Sequence, residues 1–229
     1  MRVDVAFTPA EAPRASVAVV VDVLRATSTI VQALEGGYRR VVCCAEIEEA
    51  RAVRDAAGDA VLAGERRTEA IPGFDLGNSP RDFVEARAET LVLSTTNGTR
   101  AIVGAAGLSD LVLVGSLLNL QAVTAEARRS GGDIAVICAG VEGRFTIDDA
   151  YCAGRIVAGL GGERSEAAEA AVRVAESFLD ALEPLELSAR VHRGALADDV
   201  AWCAREDVTS VVPVLTRLVG PAAEVQRRA

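Results

Sequence analysis

The chain has 229 residues, half of them hydrophobic, and its 24 basic and 33 acidic residues leave a formal net charge of −9. The apolar content excludes disorder as the main state, and the acidic balance argues against a nucleic-acid or membrane-surface binder. Every basic residue except the single His192 is an arginine, which excludes Schiff-base lysines and makes histidine-based triads and zinc sites improbable.

Short apolar runs alternate with helical patterns along the first 160 residues. The runs predict strands at 3–7, 17–22, 40–44, 60–63, 90–93, 111–114 and 134–138. The helical spacing predicts helices at 25–34, 47–57, 96–106, 117–129 and 146–160, and Ser79–Pro80 is typical of a helix start. Strands that alternate with helices favour a mostly parallel α/β sheet that is covered on both faces.

The last third of the chain has a more helical pattern. Residues 166–182 predict one long helix and 196–205 a second, whereas 211–215 predicts an edge strand at best because it contains Pro213. Since no linker marks a boundary, we expect a single domain over 1–229. Any subdivision would fall near residue 160, between an α/β core (1–160) and a helical part (161–229). We expect His192 to lie on the surface.

Five cysteines occur at an odd count and without a C-x-x-C spacing. This usage favours reduced thiols and a cytoplasmic protein over a disulfide framework. The N-terminus has no apolar signal segment, and no run approaches the length of a membrane span.

Polar residues follow the predicted strands at 17–22 and 60–63. Ligands of open α/β sheets bind at the carboxyl ends of the strands, so these positions are candidate site residues. A carboxylate and an arginine beside a helix start fit a hard cation and an anion, respectively, although the same residues also fit an ordinary helix cap. The candidates are Asp22, Arg25, Thr27 and Ser28 after the second strand, and Glu65, Asp75, Asn78 and Ser79 around the glycine-rich segment 73–80.

Two later strand ends carry further candidates. Hydroxyls, a glycine and an arginine at a helix start favour a phosphate cradle, and paired acids in a first helical turn fit either a metal site or the helix dipole. The cradle comprises Thr95, Thr96, Asn97, Gly98, Thr99 and Arg100, and the later segment holds Gly140, Arg144, Asp148 and Asp149. Taken together, these strand ends predict a small anionic phosphorylated ligand bound with a divalent cation.

The same segments resemble a known family. VVVDVLRATSTI (19–30), GFDLGNSP (73–80), STTNGTRA (94–101) and CAGVEGRFTIDDAYCAG (138–154) occur in order and are followed by the pattern around Asp198 and Asp199. In this combination they are similar to the 2-phosphosulfolactate phosphatases, the ComB family of coenzyme M biosynthesis. The resemblance implies three α/β/α layers and magnesium-dependent hydrolysis of 2-phospho-3-sulfolactate to 3-sulfolactate and phosphate.

Individual roles follow as hypotheses. We expect Mg²⁺ to be held by Asp22 and Asp149, with Glu65 or Asp148 and waters. Asp22, Arg25, Asp148 and Asp149 are the catalytic candidates. The residues expected to bind phosphate or substrate are Thr27, Ser28, Asn78, Ser79, Thr95, Thr96, Asn97, Gly98, Thr99, Arg100, Gly140 and Arg144.

Two alternatives and two further expectations complete the sequence-based interpretation. Cys138 and Arg144 have the C-x5-R spacing of cysteine-dependent phosphatases, which would be indifferent to a chelator. A protein that binds phosphorylated or sulfonated acids without turning them over is the other alternative. We expect no nucleic-acid or membrane partner, and base rates favour a homodimer.

Overall fold

A computed structural model describes residues 1–191 and 196–228, so His192 lies outside the described residues. The strands are β1 (Arg2–Ala6), β2 (Ala15–Val21), β3 (Arg40–Cys44), β4 (Ala60–Arg66), β5 (Glu69–Ala70), β6 (Thr90–Ser94), β7 (Ser109–Gly115), β8 (Ile134–Cys138), β9 (Glu163–Arg164), β10 (Pro213–Val219) and β11 (Ala222–Arg227). The helices are α1 (Ala26–Glu35), α2 (Ile47–Ala57), α3 (Gly98–Ala105), α4 (Leu120–Ser130), α5 (Ile147–Leu160), α6 (Glu166–Glu176), α7 (Leu182–Val191) and α8 (Ala197–Cys203).

The strands form one mixed sheet in the order β5-β4-β6-β3-β11-β10-β7-β2-β8-β1-β9. A first parallel block contains β7, β2, β8 and β1, and a second contains β3, β6 and β4. The antiparallel hairpin β10–β11 joins the two blocks, because β10 pairs with β7 and β11 pairs with β3. The predicted α/β class with a mostly parallel or mixed sheet is confirmed.

Helices cover both faces of this sheet. Ala18 and Val20 of β2 face the core formed with α1 and α3, whereas Val19 and Val21 face the core formed with α4, α5 and α6. Strand β2 is therefore buried on both sides, which explains its continuous apolar run VAVVV. Helix α2 covers the outer face of the second block. The result is the expected three-layer arrangement.

The end of the chain differs from the prediction. Strand β10 lies inside the sheet between β11 and β7, so the prediction of an edge strand at 211–215 was wrong. Pro213 is the first residue of β10, where a missing N–H is tolerated. The second hairpin strand was missed, although Gly220–Pro221 between the two strands is a turn signal.

Three helix predictions also need correction. The long helix expected over 166–182 is interrupted, since α6 ends at Glu176 and α7 begins at Leu182. Ser79–Pro80 starts only a short 3-10 turn, Pro80–Phe83. The helix expected at 117–129 begins as a 3-10 turn and becomes α-helical at Leu120. Within the described residues, no helix is both long and apolar enough to cross a membrane.

Candidate active site

A cleft lies where the loops after β2, β4, β6 and β8 meet. Its volume is about 80 Å³, several times the ~10–15 Å³ that one water needs. Helix α7 and the residue before α8 close one side. The lining residues are Asp22, Leu24, Arg25, Glu65, Arg67, Thr68, Asn78, Thr95, Thr96, Asn97, Gly140, Val141, Glu142, Thr146, Asp148, Asp149, Ser188 and Leu196.

Buried carboxylates form the floor of the cleft. Asp149 accepts the backbone N–H of Val23 at 2.8 Å and that of Gly140 at 2.9 Å, so it ties the loop after β2 to the loop after β8. Asp22 accepts the N–H of Ala26 at 3.1 Å through Oδ1. Its Oδ2 accepts none of the hydrogen bonds that the described residues make, which leaves this oxygen available to a ligand.

Burial changes the protonation of these acids. It raises the pKa of Asp22 to about 7, and the nearby charges of Asp148 and Glu65 add to the rise. It also raises the pKa of Asp149 well above its ordinary value, with further contributions from Asp148 and Asp22. The pKa of Asp148 is raised by burial as well. Such a cluster is costly to ionise unless a cation joins it.

This chemistry bears on whether a divalent cation fits the cleft. In the described part of the chain, no group of three or more Asp, Glu, His or Cys side chains is arranged as a ready metal site. Mg²⁺ commonly uses only one or two carboxylates and keeps several waters, so it does not need such a group. Asp22 and Asp149 provide two buried carboxylates in one cleft, and they fit a magnesium ion by this standard.

Arg25 supplies positive charge beside the acids. Its Nη1 donates to Oδ2 of Asp199 at 2.8 Å, and its Nη2 donates to the carbonyl of Thr68 at 3.2 Å. An arginine has five N–H donors. The described hydrogen bonds use two of them, so three are left for an anion in the cleft.

The loop after β6 brings further polar groups to the cleft. Glu65 holds this loop, because its Oε1 accepts the N–H of Thr96 at 2.8 Å while its Oε2 accepts that of Thr68 at 2.7 Å. Oγ1 of Thr96 and Oδ1 of Asn78 are buried and have no hydrogen-bond partner among the described residues. Buried polar atoms are nearly always paired, so these two mark positions where a ligand or water would bind.

Gly98 allows the β6–α3 loop to approach Asp22. A Cβ at this position would lie 2.5 Å from Oδ2 of Asp22 and 2.5 Å from Cβ of Ala26. Any side chain would therefore push the loop off the carboxylate. Gly98 therefore lies beside Asp22, although it is not among the residues that line the cleft.

Several predicted binding residues lie behind the cleft. Thr27 donates to the carbonyl of Asp22 at 2.9 Å, and Ser28 donates to that of Val23 at 2.8 Å. Thr99 donates to the carbonyl of Thr95 at 3.0 Å. These hydroxyls do not line the cleft; they fix the loops that do. Ser79 donates to Asp199, and Asp75 accepts the N–H of Leu62, also outside the cleft.

Two arginines that were expected to bind phosphate or substrate, Arg100 and Arg144, do not line the cleft. Arg100 is exposed and pairs with Glu46 at 2.8 Å. Arg144 is exposed and lines a neighbouring groove instead. The cleft-lining arginine that the sequence did not single out is Arg67, at the tip of the β4–β5 hairpin. Arg67 and Thr68 both have positive φ, 53° and 70°, as a two-residue hairpin turn requires.

The structure argues against Cys138 as a nucleophile. Its thiol is buried at the end of β8 and is not among the groups that line the cleft. Burial and the charge of Asp149 raise its pKa well above the ordinary value. A nucleophilic cysteine needs the opposite, a lowered pKa in a positively charged setting.

Helices α7 and α8 contribute two residues that were not among the predicted site residues. Ser188 donates to Oδ1 of Asp148 at 2.9 Å, and Asp199 binds Arg25. Ser188 lies in a stretch without glycine or a strand end, so no motif marked it. Asp199 stood in the family-like pattern, but its partner is 174 residues away in the sequence.

Comparison with known proteins gives a consistent result. Residues 6–217 match the model of a family described as 2-phosphosulpholactate phosphatase. The chain is 39% identical over 218 residues to the 2-phosphosulfolactate phosphatase of Methanothermobacter thermautotrophicus, covering 93% of this chain and 92% of the relative. It is 40% identical over 216 residues to a probable 2-phosphosulfolactate phosphatase of Thermus thermophilus, covering 90% of each.

Proposed function

The chain belongs to the 2-phosphosulpholactate phosphatase family of phosphoric monoester hydrolases, and we propose that it hydrolyses 2-phospho-3-sulfolactate to 3-sulfolactate and phosphate with Mg²⁺. One observation carries this proposal. A single small cleft is lined by buried carboxylates, by an arginine with N–H donors that the described hydrogen bonds do not use, and by a hydroxyl and an amide oxygen without partners among the described residues. That combination suits a phosphate ester bound beside a cation.

The phosphoryl group would occupy the space between Arg25 and the loop after β6. The remaining N–H donors of Arg25 suit phosphate oxygens, since a guanidinium can bind two of them through parallel hydrogen bonds. Oγ1 of Thr96, which has no partner within the described residues, would donate to the same group. Asn78 has an unpaired Oδ1, which suits a protonated group or a water.

Asp22 and Asp149 would hold Mg²⁺, which when bound neutralises phosphate charge and stabilises the transition state. Burial raises the pKa of both acids, which supports a bound cation as the partner of their negative charges. The backbone N–H groups of Val23 and Gly140 keep the Asp149 carboxylate oriented while leaving lone pairs free. The Asp149 carboxylate would thus be oriented before a cation or a substrate binds.

Asp148 is the proposed general base. A water attacks phosphorus in line, Asp148 takes its proton, and the P–O bond to the lactate oxygen breaks. The leaving oxygen takes a proton from solvent, so the products are 3-sulfolactate and phosphate. Burial raises the pKa of Asp148, as a base operating near neutral pH needs, and Ser188 fixes the orientation of its Oδ1.

The test is phosphate release from 2-phosphosulfolactate and from phospholactate, each with Mg²⁺ and with excess EDTA. We expect metal-dependent release that favours the sulfonated substrate. Asp22→Asn should remove most turnover and leave the fold intact. Release that survives EDTA, or near-normal turnover of this variant, would contradict the magnesium assignment. Saturable binding without phosphate release would instead support the non-catalytic alternative.

A further inference from the structure

Asp199 connects the C-terminal part of the chain to the cleft. It lies on α8 and is almost completely buried, with 2% of its surface exposed. It does not line the cleft itself. Any effect of Asp199 on the cleft must therefore act through the groups that its carboxylate binds.

The carboxylate of Asp199 receives three donors from two segments, the loop after β2 and the turn at 79–83. Oδ2 accepts Nη1 of Arg25 at 2.8 Å. Oδ1 accepts Oγ of Ser79 at 2.6 Å and Nε of Arg81 at 2.9 Å. Both oxygens are used, and two of the three donors are cations. An asparagine could not replace it, because an amide has one accepting oxygen and its NH₂ would face a donor.

Arg25 and Asp199 are the buried pair of this cluster, and Arg81 joins them from the surface. Arg25 and Arg81 contribute two positive charges, Asp199 contributes one negative charge, and the exposed Asp198 lies 3.8 Å from Arg81. Arg81 is 45% exposed and is screened by water, but the side chains of Arg25 and Asp199 are only 8% and 3% exposed. A buried arginine without its carboxylate would be strongly destabilised in place. It would then turn towards another acid.

Asp22 is a second acid that is influenced by the charge of Arg25. The charge of Arg25 lowers the pKa of Asp22, and the two residues line the same cleft. If Arg25 bound Asp22 directly, it would neutralise the proposed metal ligand and lose the donors meant for phosphate. The bonds from Arg25 to Asp199 and to the carbonyl of Thr68 hold the guanidinium away from that arrangement.

We propose that Asp199 is the positioning residue for Arg25: it holds the guanidinium at the edge of the cleft, so that N–H donors not used by Asp199 and Thr68 can bind the phosphoryl group. The inference deepens the proposed function and rests on it. It assigns α8 a part in the reaction without placing any of its residues in contact with substrate.

A double-mutant cycle in turnover tests this role. The variants are Asp199→Asn, Arg25→Ala and the pair, with Asp198→Asn as the matched control. Asp198 is the neighbouring acid on the same helix and is 87% exposed. A misplaced catalytic group can cost about 100-fold. We expect Asp199→Asn to lower kcat by 10- to 100-fold with a smaller change in KM, and Asp198→Asn to stay within twofold of the unchanged protein.

Comparing Asp199→Asn with and without the Arg25 side chain distinguishes positioning of Arg25 from a general effect on stability. If Asp199 acts through Arg25, Asp199→Asn has no further effect on kcat/KM once Arg25 is alanine. An equal loss in both backgrounds, or an unchanged kcat in the single variant, would overturn the proposal. Should Asp199→Asn fail to fold, Arg81→Ala serves instead. It removes one partner of Oδ1 at a half-exposed position, and we expect a several-fold loss of kcat that disappears in the Arg25→Ala background.

Calorimetric binding of inorganic phosphate separates this proposal from the proposed function. We expect Asp199→Asn to weaken phosphate binding about tenfold, and to have no effect after Arg25→Ala. If the unchanged protein shows this coupling but releases no phosphate from 2-phosphosulfolactate, positioning stands and the proposed reaction fails. If phosphate binding ignores Asp199, positioning fails whatever the turnover. If the unchanged protein neither binds phosphate nor turns over 2-phosphosulfolactate, both proposals are overturned.

Discussion

Replacing Asp22 by asparagine should stabilise the metal-free protein at neutral and higher pH. The pKa of Asp22 is about 7 in the folded protein against 3.8 for an ordinary aspartate. The folded state therefore binds more protons than the unfolded state between these values, and stability falls as pH rises from about 4 to 7. Asparagine removes this loss, and its amide oxygen can still accept the N–H of Ala26 that Oδ1 now accepts.

The expected size follows from the two pKa values. A difference of about three pH units corresponds to ~4 kcal/mol in the free energy of unfolding. This is the most that Asp22→Asn can return, because neighbouring carboxylates compete for the same protons. The gain should be small at pH 4, about half developed near pH 5.5, and complete above pH 8. Added Mg²⁺ should stabilise the unchanged protein and have little effect on the variant.

Urea unfolding at pH 5 and pH 8, with EDTA or with Mg²⁺, measures all of these quantities. Asp198→Asn is the control, since it removes one negative charge at an exposed position. An Asp22→Asn variant that is less stable than the unchanged protein at pH 8 in EDTA would refute the reasoning. So would an equal stabilisation of both proteins by Mg²⁺.

Three further predictions concern single positions. Gly98→Ala should abolish turnover and lower the free energy of unfolding by about 1–3 kcal/mol through overpacking. Gly104→Ala on the same helix is the control: a Cβ there would meet nothing within 4 Å, so the free energy of unfolding should rise by up to ~1 kcal/mol. Urea unfolding and turnover measure both variants. Arg67→Gln should raise KM several-fold at similar kcat. Arg100→Gln removes an arginine outside the cleft and should leave KM and kcat unchanged. A fall in kcat alone for Arg67→Gln would contradict a role in binding. Cys138→Ala should keep turnover within about threefold, and loss of chemistry without unfolding would revive the cysteine alternative.

Much of the fold could be predicted because it depends on local patterns. A strand buried on both faces is a continuous apolar run, and β2 shows one. The strands of both blocks and most of the helices were found in this way. The position of β10 could not be found, because Pro213 is unfavourable inside a strand but harmless at its first residue. Only the pairing partners decide between the two cases.

The candidate site was predictable to the extent that its residues follow strands. Asp22, Thr96 and Asp149 come directly after a strand or begin the next helix, so the rule for open α/β sheets was enough to bring them together. The rule does not say which hydroxyls face the ligand. Thr27 and Thr99 also lie near a strand end, in the first turn of α1 and α3, but their hydroxyls donate to nearby carbonyls.

The parts of the site that the sequence could not show are those supplied by helices packed from elsewhere. Ser188 and Asp199 act on Asp148 and Arg25 through tertiary contacts, and nothing in their own segments requires a polar residue. Both supporting contacts serve groups that burial or charge would otherwise disturb: an acid with a raised pKa and a buried arginine. A cleft that concentrates like charges must be held by groups behind it, so its support depends on long-range packing even where its lining follows local rules.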